Sequence, residues 1–206
     1  MNRSAHVLLL GLALSACSTD RPSAGAEPAG SINPESAASA SPAQALHGDA
    51  AAAVQRFGSQ LKAELQQAMA AGGPLQAVEV CQQRAPALAD AVSAQTGFQL
   101  ARVSLRHRNP ERGRPTDWQR SVLESFDQQL ASGQPPGELM FSAMTAGEYR
   151  FMKAIPTAPL CLTCHGTALA PELEAKLARL YPKDRATGYQ AGELRGAFVA
   201  VRPLEP

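Results

Sequence analysis

Phe98-Gln-Leu-Ala-Arg-Val-Ser-Leu-Arg-His107 sets Phe98, Leu100, Val103 and Leu105 in near-alternation with Arg102, Ser104 and Arg106. Alternation sends successive side chains to opposite faces, so residues 98–107 predict a strand with one apolar face, imperfect at Ala101. What precedes this stretch has a helical period instead. Val54, Phe57, Leu61, Leu65 and Ala68 recur at three- and four-residue steps, predicting a helix capped by Asp49 and running to about Ala71. Gly72-Gly73-Pro74 stops it. A second helix starts near Leu75 with the stripe Val78, Cys81, Ala85, Leu88 and Val92; Pro86 should kink it and Gly97 should end it.

Downstream, Asn109-Pro110 opens a polar loop through Pro115. Thr116 or Asp117 then caps a helix to about Ala131 with Trp118, Val122, Leu123, Phe126 and Leu130 apolar. After the turn at 133–137, residues 139–144 and 149–155 read as two strands joined by Thr145-Ala-Gly147. A short helix follows over 171–180, and a buried strand closes the chain over 192–201. There are no internal repeats. Helices first, then hairpin-spaced strands mixed with helices, give an α+β class with an antiparallel sheet rather than a helical bundle.

The N-terminus is an address. Arg3 precedes the apolar run 7–14, which is too short to span a bilayer, and Leu14-Ser15-Ala16-Cys17 resembles the bacterial lipoprotein cleavage site. That resemblance implies removal of residues 1–16 and lipid attachment to Cys17; ordinary signal cleavage with a free or paired Cys17 is the alternative. Ser18 stands where an Asp would favour inner-membrane retention, pointing to a lipid anchor on the periplasmic side of the outer membrane. Residues 17–48 are rich in Ala, Ser, Pro and Gly without apolar period, and predict a flexible tether, with His47 solvated at its end. The folded domain is expected over 49–206.

The whole chain has 206 residues with 19 Lys+Arg against 18 Asp+Glu. Residues 1–16 hold one base and no acid, so bases and acids are equal beyond the signal. That argues against nucleic-acid binding, which needs a basic stripe. Aromatics are only 5%, so the core is light in rings. Four cysteines are present, Cys17, Cys81, Cys161 and Cys164.

Cys161-Leu-Thr-Cys164-His165-Gly166 carries the chemistry. Cys-x-x-Cys-His is the attachment site of c-type haem: two thiols at this spacing reach the two vinyl groups of the porphyrin, and the adjoining His binds iron. An export signal agrees with this, because haem is attached outside the bacterial cytoplasm. A structural zinc would need four ligands, which only Cys81 and distant histidines could complete. A thioredoxin-like pair would follow a strand and open a long helix, whereas Pro159 precedes this motif and Gly166 follows it. A Cys161–Cys164 disulfide is the third alternative. No Met follows His165, so the common small all-helical cytochrome, with its late axial Met, does not fit.

The chain resembles the bacterial PAS-like c-type haem-binding domains, long known only as a domain of unknown function, with a cyanobacterial member found alongside photosystem II. The resemblance rests on Cys81 with Ala85-Pro86; on Arg102-Val-Ser-Leu-Arg106 through Arg108-Asn-Pro110 and Trp118; on Cys161-Leu-Thr-Cys-His-Gly166; and on Tyr181-Pro-Lys-Asp184 through Thr187-Gly-Tyr189 and Gly192-Glu-Leu-Arg-Gly196. It covers residues 49 to about 202. It implies a PAS-like antiparallel sheet flanked by helices, one covalently bound haem, and an axial pair of His165 and a Cys thiolate that maps to Cys81. From its residues alone Cys81 reads as a small core hydrophobe. Rival sixth ligands are His107, Met140 and Met144. A thiolate favours ferric iron and a low potential. Arg102, Arg106, Arg108 and Arg195 are candidate partners for the haem propionates.

Three functions follow from these readings. A membrane-tethered electron-transfer cytochrome working with a separate redox partner protein is favoured. A redox or gas sensor would need a separate output partner. A peroxidase-like enzyme needs an open coordination position and ranks last.

Overall fold

A computed structural model describes residues 41–205 of the chain. The export signal, Cys17 and the tether up to residue 40 lie outside the described residues. Among the described residues no helix is long and apolar enough to cross a membrane.

Helix α1, Pro42–Glu79, begins well before Asp49. Ser41 caps it: its Oγ accepts from the Gln44 N–H at 3.3 Å, and Gln44 Oε1 accepts from the Ser41 N–H at 2.8 Å. This reciprocal capping box, with Pro42 in the first turn, satisfies the end of the helix where Asp49 was expected to do so. Residues 42–48, assigned to the tether, are therefore helical. His47 is half-buried, its ring edge-on to Phe151 at 5.3 Å, rather than solvated. The break expected at Gly72-Gly73-Pro74 is a kink: Gly73 takes φ +67 and Pro74 restarts the helical run.

Val80–Arg84 form a π-helical turn that leads into α2, Ala85–Thr96. Pro86 has no N–H to donate to the preceding turn, and the wider π-turn absorbs the defect instead of a break. Gly97, at φ +72, closes α2. Strand β1, Gln99–Val103, is shorter than the alternation suggested. Ser104 Oγ accepts from the Arg106 N–H at 3.1 Å, and the Ser104 N–H donates to the Gly113 carbonyl at 3.0 Å, so the chain curls away from the sheet before Leu105. The loop expected after Asn109 contains one helical turn, α3, Pro110–Gly113, capped by the Asn109 side chain.

Helix α4, Asp117–Ala131, has its own capping box from Thr116 and Gln119. Strands β2, Met140–Met144, and β3, Glu148–Pro156, form the expected hairpin. Cys161 ends a 3-10 turn over Pro159–Cys161, Cys164 and His165 lie on the short helix α5, Leu162–His165, and α6, Pro171–Leu180, follows. Strand β4, Leu194–Pro203, ends the domain.

The four strands run antiparallel in the order β1-β4-β3-β2. The fold is thus α+β, with the PAS-like flanked sheet that the resemblance implied. Both faces are covered. Phe151 and Ala200 point to one side, where they pack with Ala50, Ala53 and Val54 of α1. Their neighbours Met152 and Val199 point to the other, against Val122, Leu123 and Phe126 of α4. The period-two pattern of β3 and β4 therefore feeds two cores, and α2 joins the first through Ala89 and Val92 against Phe57 and Leu61.

Close approach of β1 and β4 depends on Gly196. It sits at φ +148, and a Cβ there would run into the Val103 carbonyl. Gly196→Ala should cost at least about 2 kcal/mol, from backbone strain plus the clash. Thermal or urea unfolding of the purified variant checks this; an unchanged midpoint would show that β1 adapts.

Candidate functional site

The motif residues meet a cleft bounded by the π-turn, the start of α2, β1 and the segment 104–113. His165 and Cys81 both line it. Its walls are apolar where Phe57, Ala85, Ala89, Leu100, Val103 and Ile155 contribute. Its charged groups are all cationic: Arg102, Arg108, Arg112 and Arg195 line it.

Helix α5 is a single turn because Gly166 follows it; a Cβ at Gly166 would come within 2.5 Å of the Leu162 carbonyl oxygen. The segment 184–189 then straps the turn in place. The Tyr189 N–H donates to the His165 carbonyl and the Gly188 N–H to the Gly166 carbonyl, each at 2.8 Å. His165 Nδ1 lies 2.6 Å from the Ala186 carbonyl, which can only accept, so Nδ1 carries the proton and Nε2 is left as the bare donor atom. Burial, reinforced by Arg195 and Arg108, pushes the His165 pKa down to about 2. The imidazole is thus neutral and oriented, the state an axial ligand needs.

Arg108 is the clamp behind this turn. Its Nε donates to Asp184 Oδ2 at 2.9 Å, with the side chains only 9% and 11% exposed. Its Nη2 donates to the Cys164 carbonyl at 2.5 Å and to the Ala186 carbonyl at 3.3 Å. Asp184 Oδ1 also accepts from the Ala186 N–H at 2.7 Å. Sequence reasoning quoted Asp184 within a matching stretch but gave it no role. Between Lys183 and Arg185 it reads as one more surface charge, and only the fold brings it to Arg108.

Cys161, Cys164 and Cys81 are free thiols, all half-buried, so the disulfide alternative is not formed. Cys164 packs against Val78, Leu173, Leu177 and Tyr181, and burial pushes its thiol pKa up. Among the described residues no three His, Cys, Asp or Glu side chains gather as a metal site, so the ligand set of a structural zinc is not assembled. Of the rival sixth ligands, His107 lines the cleft, with Nδ1 buried and unpartnered and its pKa lowered first by burial and then by Arg114 and Arg185. Met140 and Met144 do not line it. They lie on β2, at the far edge of the sheet from β1, 44% and 52% exposed. Arg106 also points elsewhere, stacking over the Tyr189 ring at 3.8 Å and donating to the Thr187 carbonyl.

The cleft suits a planar, iron-bearing dicarboxylate. It offers apolar walls for a ring, a neutral imidazole and a thiol for a metal, and guanidinium Nε atoms of Arg102 and Arg195 that are buried without partners. Fold and site together define a sheet-and-helix domain that presents a Cys-x-x-Cys-His turn to a cationic cleft.

The chain belongs to the Tll0287-like family, which matches residues 34–203. Among solved structures it is similar to the cyanobacterial haem-protein Tll0287, at 25% identity and a TM-score of 0.62, over 81% of this chain and 98% of that one. No curated protein matches the chain.

Asp184→Asn should leave Arg108 buried without a counter-charge and cost about 3–5 kcal/mol. Replacing both partners with Leu or Met should cost less than this single change. Urea unfolding of the parent chain and the two variants checks the order; equal losses for the single and double changes would show that the pair's charge is unimportant.

Proposed function

We propose that this protein is a monohaem c-type cytochrome, lipid-anchored through Cys17 on the periplasmic side of the outer membrane, that carries electrons at low potential to or from a separate redox partner. Cys161 and Cys164 form the thioethers, and His165 and Cys81 are the axial ligands. The observation that carries this reading is that His165 and Cys81, distant in sequence, line one cleft. The similarity to a solved haem-protein of this kind supports it.

Haem c supplies a one-electron iron centre. The chain does the rest. Ala186 holds the Nδ1 proton of His165 and so presents Nε2 to the cleft. Arg108 and Asp184 fix the turn that carries both thioether cysteines. A thiolate from Cys81 adds an anionic donor, which favours ferric iron and lowers the potential. The apolar walls keep water from the ring. With two protein ligands the coordination shell is closed, as a carrier requires and a peroxidase does not.

The sensor reading gains from one feature: Cys81 lies in a π-turn, a departure from regular helix that often marks functional sites. Signalling would then follow loss of Cys81 from the iron.

Expression of the full chain with a working maturation system should yield one haem per chain that resists acid extraction, with a low-spin ferric thiolate spectrum. Cys81→Ala should abolish the thiolate signature and raise the potential while leaving the haem attached. An unchanged spectrum would move the sixth ligand elsewhere, with His107 next to be replaced. CO binding to the ferrous form would favour sensing, and a reversible couple blind to CO would favour electron transfer.

A further inference from the structure

Four arginines near the motif are open to binding carboxylates on sequence grounds, and their surroundings separate them. Arg108 commits its Nε to Asp184 and its Nη2 to two carbonyls. Arg106 is turned onto Tyr189, Thr187 and Glu193. Arg102 and Arg195 line the cleft, and neither forms an ion pair among the described residues. The Nε of each is buried without a hydrogen-bond partner. Arg195 as a whole is 7% exposed.

A buried Arg195 and a half-buried Arg102 sharing one cleft, with no acid among the described residues paired to either, are an unfavourable arrangement. The Nε of each has lost water, and each cation opposes the other's charge. The pKa of Arg195 falls to about 10, first through burial and next through Arg102. Ring faces lie beside them, Tyr189 at 5.3 Å from Arg195 and Phe198 at 5.8 Å from Arg102, and the nearby acid Asp184 is engaged by Arg108. Ring quadrupoles attract cations but supply no acceptor for an N–H. The missing element is an anion with two carboxylate-like groups, since guanidinium pairs best with planar carboxylates. Much of the remaining wall is apolar, from Phe57 and Ala89 on the helices to Leu100 and Ile155 on the strands. So the anion must carry a large apolar body.

We infer that Arg102 and Arg195 form a paired carboxylate site that seats the two propionates of a tetrapyrrole, balancing a charge that the folded chain leaves uncompensated. This rests on the haem reading above. It goes further by assigning the residues that orient the ring's polar edge and that set the electrostatic environment of the iron.

The test uses the full chain, matured with haem, carrying R102Q, R195Q or R195K. Each Gln variant should keep its covalent haem. Loss of a nearby cation favours the more positive ferric state, so the ferric-to-ferrous ratio at a fixed ambient potential should rise about tenfold, equivalent to about 59 mV for one electron. R195K should recover most of that shift. A second measurement separates ligand binding from packing. In the full chain with Cys161→Ala and Cys164→Ala, which cannot attach haem, R195Q should raise Tm, because an uncompensated buried charge is gone. In the matured protein the same change should lower Tm.

Covalent haem with an unchanged potential in both Gln variants would overturn the assignment while leaving the haem reading intact. So would a fall in Tm from R195Q of equal size in both forms, which is the mark of a packing role. If R195Q does not fold, R102Q in the matured protein carries the same potential test. Absence of covalent haem from the parent chain would overturn both.

Discussion

The contact between Arg108 and Asp184 ties together three segments that would otherwise be independent. Arg108 follows the end of β1, Asp184 follows α6, and the Cys164 carbonyl that Arg108 also reaches belongs to the motif turn. None of these segments is regular enough to place itself. Helix α5 is one turn long, too short to be stable through its own hydrogen bonds. The stretch 184–189 has no helix or strand of its own. A buried ion pair is costly to assemble, but this one is satisfied on nearly every side: Asp184 accepts from both Arg108 and the Ala186 N–H, and Arg108 donates to two carbonyls as well. Satisfaction makes it specific, because removing any partner strands the rest. The Ala186 carbonyl that receives Arg108 also receives His165 Nδ1. The ion pair therefore sets the tautomer and the aim of the imidazole at one remove.

Charge is distributed unevenly around this clamp. Over the whole chain, bases and acids nearly cancel. Around the cleft they do not: Arg102, Arg108, Arg112 and Arg195 line it, Asp184 answers Arg108, Asp90 meets Arg112 only at the exposed rim, and no acid among the described residues pairs with Arg102 or Arg195. Net charge thus says little about what the protein binds, while the local surplus says a good deal. A neutral overall surface is compatible with a reaction partner of either sign. The cleft, by contrast, is built for an anion.

Much of this was legible in the sequence and some was not, for identifiable reasons. Helix α4, the β2–β3 hairpin and β4 carry strong periods and clear punctuation, and their residues sit where those patterns place them. The motif itself is a local string and needs no fold to be read. The start of α1 was misplaced because an Ala- and Ser-rich stretch lacks apolar contrast, and the Ser41–Gln44 capping box had no apolar run behind it to draw notice. The far end of β1 was misread because Ser104 turns its hydroxyl to local backbone groups, a competition that alternation does not register. The sorting of the arginines was beyond sequence altogether. Arg102 and Arg106 look alike in an alternating stretch, yet one faces the cleft and the other covers Tyr189.

The position of Cys81 shows how a local irregularity serves the site. In an unbroken α-helix, Pro86 would leave the Gln82 carbonyl without its donor and press its ring on the preceding turn. The backbone answers with one π-turn: the Ala85 N–H donates to the Val80 carbonyl, one residue further back than an α-helix allows. That extra residue rotates everything N-terminal to it relative to α2. Upstream, Val78 stays in the core with α6 and Cys164, and downstream Ala89 and Val92 stay in the core with α1. Cys81, lying between them in the turn itself, is released from both cores to half-exposure on the cleft wall. A regular helix with the same apolar stripe would have kept Cys81 in line with Val78 and Ala85, as an inert core thiol. Pro86 therefore helps place Cys81 on the cleft wall, although its own side chain carries no donor atom.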